Sequence, residues 1–173
     1  MMWDLYDNQF QKTGMVVQEN DLDNILEGFY HLTVNIWVIN SNKEVLMVKK
    51  SLNFDLRYPG YWTSINGNVM SGENSYCTVK NIISKKMGVK IADTDKIIEL
   101  GKDFRDPYHY IYETFAVYKD INIESIIMNE TYYSKAKWID IIELKNMMNN
   151  GEIEFPIIER IEKYILPLLK SKN

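Results

Sequence analysis

The sequence predicts an α+β protein built as a small α/β/α sandwich around a mixed sheet. Three observations predict it. Short β-branched and aromatic runs recur from Trp3 to Val69 and again from Ile97 to Trp138, the composition of strands. A well-marked helical segment, Ser75–Met87, interrupts them, and two more, Ile141–Asn149 and Ile157–Lys170, close the chain. With 173 residues, 46 % apolar and 25 % charged, the chain suits one folded unit with a real core.

The elements follow in order. Trp3–Tyr6 and Gly14–Val17 flank the polar stretch Asp7–Thr13 and read as a hairpin or two edge strands. Asp21–Glu27 is a connector. His31–Ile39 is β-branched and aromatic, Asn40–Lys43 has turn chemistry, and Glu44–Lys49 is the returning strand. A loop over Ser51–Gly60 ends in Tyr58-Pro59-Gly60-Tyr61-Trp62, and two short strands flank Ser64–Val69. In Ser75–Met87 the residues Tyr76, Val79, Ile83 and Met87 share one stripe with Ile82 beside it. Asn74 is placed to cap this helix and Gly88 to stop it. Ile97–Gly101, Tyr108–Tyr118 and Lys135–Trp138 read as further strands, and Pro156 opens the last helix.

Composition excludes several functions. Twenty basic residues face 24 acidic ones, which is not the basic field of a general nucleic-acid binder. The longest apolar runs, Ile36–Ile39 and Ile165–Leu169, fall far short of the roughly 20 residues that span a membrane. Met1–Asp7 lacks the basic start and apolar stretch of a signal peptide, so a cytoplasmic protein is expected. Cys77 is the single cysteine and His31 and His109 the only histidines, so no internal disulfide and no cysteine- or histidine-rich metal site can form. Cys77 is expected to be a buried packing thiol. His31 is expected to make a structural hydrogen bond. The 17 Lys against 3 Arg, with 22 Ile and 17 Asn, is a skew that lowers the information in any one surface lysine.

The informative segment is 67–89. Gly67 is followed after five residues by Glu73, then by Ile83, Gly88 and Val89. This spacing resembles the Nudix box, G-x5-E-x7-R-E-U-x-E-E-x-G-U with U a bulky aliphatic. Other segments are similar in order: Tyr30-His31-Leu32 to Trp37-Val38, Val45–Lys50, Tyr58–Trp62, and Ala136–Ile139 before Glu143-Leu144. Trp3–Asp7 with Thr13-Gly14 resembles the N-terminal extension of the isopentenyl-diphosphate-isomerase-like branch. The resemblance covers about residues 3 to 145. It implies a Nudix-type α/β/α sandwich over 1–173, with an N-terminal β extension over 1–28, a core over 29–150 and a C-terminal helix over 151–173.

The resemblance also implies an activity, hydrolysis of a nucleoside diphosphate-linked substrate with Mg²⁺ or Mn²⁺ held by box glutamates. Hard divalent cations require such carboxylate oxygens, and residues three and four apart share a helix face. Here the Arg-Glu and Glu-Glu positions are Asn81-Ile82 and Lys85-Lys86, which changes their formal charge from −2 to +2. A carboxylate cage cannot form from Ile82, Lys85 and Lys86, so no metal ligand and no cofactor is expected, with Mg or Mn needed only if hydrolysis survives. Glu73 alone remains of the box acids, and Glu130, ahead of the Trp138 strand, is a substitute base. These two are the candidate catalytic residues. The isomerase reaction is not expected, because no cysteine lies at the isomerase position in the entering strands.

The candidate ligand-binding residues are cationic and aromatic. Lys85 and Lys86 offer ammonium donors to phosphate oxygens. Lys49 and Lys50 end a strand, and alternation lets only one of them face a cleft. Arg105, Tyr108 and Tyr110 suit a pocket wall that pairs a phosphate and stacks a base. The expected function is therefore that of a degenerate Nudix hydrolase that binds a phosphorylated small molecule or nucleotide. Two alternatives stay open: an active hydrolase drawing on Glu73, Glu99, Glu113 and Glu130, and a non-catalytic interaction or scaffold protein. No nucleic acid or membrane partner is expected. A homodimer through the closing helix or the N-terminal hairpin is also left open.

Overall fold

The structure, a computed structural model, describes residues 1–53 and 57–170. Residues 54–56 of the expected Ser51–Gly60 loop and 171–173 of the C-terminal segment lie outside the described residues.

The chain opens with an antiparallel pair, β1 (Met2–Tyr6) and β2 (Lys12–Gln18). Its turn is tied by Asp7, whose Oδ1 accepts from the amides of Gln9 and Gln11 at 2.8 and 3.0 Å. β1 joins the main sheet through Leu5 opposite His31 on β3 (Tyr30–Ile39). β3 is the central strand. On one side β8 (Tyr110–Tyr118) runs parallel to it along its length, from His31 opposite Tyr110 to Ile39 opposite Tyr118. On the other side β6 (Ile65–Asn68) runs antiparallel, with Asn35 opposite Asn66. β4 (Val45–Lys50) shares only the Ile39–Val45 pair with β3, then runs between β5 (Trp62–Thr63) and β9 (Tyr133–Ile139). β7 (Lys96–Arg105) forms the edge beyond β8.

Alternation on β3 explains the layers. Leu32, Val34, Ile36 and Val38 face α1 (Ser75–Met87) and pack with Val79, Ile83, Met87 and Phe115. Trp37 and Ile39, with Val45 and Met47, face α2 (Ile141–Asn149) and the C-terminal helical segment through Leu144, Ile157, Ile161 and Ile165. The sheet is thus covered on both faces by helices, as the sequence predicts. The first half of β3 breaks the second pattern, because Thr33 and Asn35 replace apolar residues there. That polar stretch is the floor of a cavity.

α1 has the bounds expected from its caps. Asn74 Oδ1 accepts from the Cys77 amide at 2.9 Å, and Gly88 takes the left-handed conformation at φ 64°. Cys77 itself is exposed, contrary to the expected packing thiol. Tyr76 is also 46 % exposed. The buried face of the helix is Thr78, Val79, Ile83, Lys86 and Met87, which keeps Val79, Ile83 and Met87 of the expected stripe and leaves Tyr76 outside it. Gly67 lets β6 approach this helix, since a Cβ there would lie 2.4 Å from Ile82 Cδ1.

The closing helix runs as α3 (Phe155–Arg160), a π turn over Ile161–Ile165, and α4 (Leu166–Lys170). Pro167 explains the widening, since its ring excludes a regular bond to the turn before it. β7 extends to Arg105, beyond the expected Gly101, with a bulge between Glu99 and Gly101. Among the described residues no helix is long and apolar enough to cross a membrane.

Candidate ligand-binding site

A cavity of about 880 Å³ opens over the polar stretch of β3. Its floor is Thr33 and Asn35 with Tyr110 and Tyr112 of β8. Asn35 is fixed, for its amide donates to Ser64 Oγ and its carbonyl accepts from Trp37 Nε1, both at 2.6 Å. Thr33 Oγ1 donates to Asn68 Oδ1 at 2.8 Å. One wall comes from β6 and α1, the opposite wall from the start of α3, and Tyr58, Tyr108 and Tyr132 stand at the margins.

On the α1 wall, Lys86 is 6 % exposed and donates from Nζ to the Asn66 carbonyl at 2.6 Å. Its ammonium lies 4.5 Å from the Tyr132 ring centroid and 5.3 Å from that of Tyr133. Burial, with Lys85 and Lys50 adding repulsion, pulls its pKa down from 10.5 to about 8. Lys85 is exposed and lies 6.0 Å from Tyr132. Glu73 lines the cavity and accepts from Thr78 Oγ1 at 3.0 Å.

On the opposite wall, Lys50 Nζ meets Glu154 Oε2 at 2.5 Å, and Glu154 Oε1 accepts from Thr63 Oγ1 at 2.6 Å. Both charged residues are buried. Arg105 lies 5.4 Å from the Tyr108 ring and donates from Nη1 to the Pro156 carbonyl at 3.4 Å. The Arg160 guanidinium carbon lies over Tyr112, 4.1 Å from the ring centroid.

The structure therefore brings Glu73, Lys50, Lys85, Lys86, Arg105, Tyr108 and Tyr110 to one cavity. Two other sequence candidates lie off it. Lys49 points to the other face of β4 and lies 6.0 Å from the Trp62 ring, because strand alternation sends neighbouring side chains to opposite faces. Glu130 is exposed, and its main-chain carbonyl, not its carboxylate, accepts from Ser51 Oγ at 2.5 Å. His31 departs from expectation as well. Both ring nitrogens are buried without a hydrogen-bond partner, and the ring stacks against Trp3 at 5.2 Å and meets Tyr110 edge-on at 4.2 Å. Glu154 and Arg160 were not anticipated, although Arg160 stands three residues after Ile157 on the buried stripe of its helix.

The carboxylates do not suit a divalent cation. Ile82 packs toward Gly67, while Lys85 and Lys86 bring positive charge to the wall. Glu19, Glu73 and Glu154 line the cavity, but Glu154 is bound to Lys50 and Glu19 faces the N-terminal amine at 4.0 Å. Glu113 turns elsewhere: it is buried, accepts from Ser75 Oγ, and lies 3.4 Å from Lys102. Burial raises its pKa. Lys102 also approaches Glu99 at 3.7 Å. Among the described residues, no three His, Cys, Asp or Glu side chains gather as a metal site.

The layered sheet, with the Gly67–Val89 segment forming one wall of the cavity, is the fold of Nudix domains. The solved structure of the DR0079 protein from Deinococcus radiodurans aligns over 95 % of this chain and 99 % of that chain, at 18 % identity and a TM-score of 0.75. The NUDIX domain of Shewanella oneidensis NrtR, solved with ADP ribose, aligns over 85 % and 96 %, at 16 % identity and a TM-score of 0.61. A MutT protein from Methanosarcina mazei aligns over 77 % and 93 %, at 17 % identity and a TM-score of 0.57. At these identities the likeness is one of fold. No protein-family profile and no curated protein matches the sequence.

Proposed function

We propose that this chain is a degenerate member of the Nudix superfamily that binds a phosphorylated small molecule, of nucleotide size, without metal-dependent hydrolysis. The observation that carries this reading is Lys86. Where the box pattern has a metal-binding glutamate, this chain has a buried ammonium held to the Asn66 carbonyl in the cavity wall. Such a group supplies directly the positive charge that a metal would bring to phosphate oxygens. Lys85 adds a second cation, and the tyrosines of the cavity offer stacking faces to a base. The open cavity favours a ligand over a pure scaffold, for which a closed cleft is expected. A nucleotide ligand is also in keeping with the NrtR domain, which was solved with ADP ribose.

The test is a panel of nucleoside diphosphate derivatives, assayed for hydrolysis with Mg²⁺, Mn²⁺ and chelator, and for thermal shift without metal. Expected is no metal-dependent turnover, and a rise in melting temperature that is lost in Lys86→Met. Metal-dependent turnover that falls in Glu73→Gln would establish the active-hydrolase alternative instead. Neither turnover nor a thermal shift would favour an interaction protein.

A further inference from the structure

Arg160 is 6 % exposed and lines the cavity opposite Lys86. Its Nε is enclosed without a hydrogen-bond partner. Its guanidinium carbon lies over Tyr112, 4.1 Å from the ring centroid, a cation–π contact that gives its N–H donors no oxygen acceptor. A guanidinium cannot shed its proton to escape burial, so a buried one without an acceptor is costly. The two carboxylates that act on it through space are Glu154 and Asp103, and both are engaged elsewhere. Glu154 is bound by Lys50 and Thr63, and Asp103 by Lys163 and Tyr164. Arg105 adds a second guanidinium to the same wall.

This corner is separate from Lys86. The Lys86 ammonium sits on Asn66 of β6, and Arg160 sits on Tyr112 of β8. β3 lies between them, with Asn66 opposite Asn35 and Tyr112 opposite Thr33. Two interstrand steps and two residues along the strand separate the poles by on the order of 10 Å. A single phosphate group cannot reach both.

We infer that the ligand carries two anionic groups on the order of 10 Å apart, a phosphate at Lys86 and a second phosphate or carboxylate at Arg160 and Arg105. This rests on the phosphate-binding reading above and adds a second subsite to it. A phosphorylated sugar acid, a sugar bisphosphate and a nucleoside bisphosphate share this chemistry.

The experiment is metal-free calorimetry with matched pairs that differ in the second anion: fructose 1,6-bisphosphate against fructose 6-phosphate, 6-phosphogluconate against glucose 6-phosphate, and adenosine 3′,5′-bisphosphate against adenosine 5′-monophosphate. Expected is at least one pair in which the doubly anionic member binds ten or more times tighter, with that gain lost in Arg160→Met and reduced in Arg105→Gln. The pair that responds tells a phosphate from a carboxylate. Arg160→Met should melt no lower than the natural protein, whereas a packing role alone would lower its melting temperature and overturn the assignment. A gain under threefold in every pair, or one that survives Arg160→Met, also overturns it while leaving the phosphate site intact. If the singly anionic members bind no better than glucose, the phosphate-binding reading itself fails and this inference falls with it.

Discussion

Lys50 and Glu154 meet at 2.5 Å although 104 residues separate them in sequence, and both are buried. The contact ties the end of β4 to the start of α3, and Thr63 Oγ1 adds a third member from β5. Removing one partner of a buried ion pair costs more than removing both. Lys50→Met is therefore expected to destabilise by about 3–5 kcal/mol, because it leaves Glu154 buried without its ionic partner. Adding Glu154→Gln should restore most of the loss, since the amide can still accept from Thr63. Chemical denaturation of the two variants checks this, and equal stability of single and double variants would refute it.

The second prediction concerns acid stability. Burial lowers the His31 pKa from 6.5 to about 4, with His109 adding repulsion. The unfolded chain takes up this proton first, so stability falls as pH drops from 6.5 toward 4. The contribution at neutral pH is on the order of 3 kcal/mol. In His31→Phe, which keeps a ring between Trp3 and Tyr110, the slope of stability against pH between those values should flatten.

Lys86 sets the opposite limit for ligand affinity. Its ammonium is charged below a pKa of about 8 and neutral above it. Phosphate affinity is thus expected to weaken as pH rises through that value in the free protein. Titrations at pH 7 and pH 9 test this. In Lys86→Met affinity should be low at both, and an unchanged pH dependence there would assign the effect to another group.

Two glycines should respond differently to alanine. At Gly67 the added methyl would lie 2.4 Å from Ile82 Cδ1, which can turn aside, and 2.8 Å from Cγ1, which moves only with χ1. The expected loss is about 1–2 kcal/mol, recovered when Ile82→Ala is added, which removes both atoms. At Gly101 the methyl would lie 2.3 Å from the Tyr164 hydroxyl and 2.8 Å from its ring. A ring cannot yield in that way, so Gly101→Ala is expected to cost about 2–3 kcal/mol and to disturb the Tyr164–Asp103 hydrogen bond. Thermal melts of both variants give the order directly.

Local chemistry made much of this fold legible. Asn74 and Gly88 bound α1 to the residue, and the β-branched runs mark β3 and β8, because caps and strand composition act within a few neighbours. The box spacing likewise marks α1, which forms one wall of the cavity. What escaped depends on partners far away in sequence. Cys77 and Tyr76 read as internal in the sequence, yet both are exposed, and Thr78 and Lys86 join Val79, Ile83 and Met87 on the buried face instead. Glu154 and Arg160 look like solvated charges until β4, β5 and β8 are placed beside them. The ring nitrogens of His31 call for hydrogen bonds in a reading of the sequence, and aromatic rings enclose the side chain instead.

The parallel pairing of β3 with β8 has a consequence for how the chain reaches this state. His31 cannot meet Tyr110, nor Ile39 meet Tyr118, until a loop of nearly 80 residues has closed. Contacts of that span are slow to form, because the entropy of closure is lost before the pairing rewards it. On a ribosome, β1 to β6 and α1 would emerge with the central strand still lacking its longest neighbour, its apolar edge open to other chains. Refolding is accordingly expected in milliseconds to seconds rather than microseconds, and yield should fall as protein concentration rises during that interval.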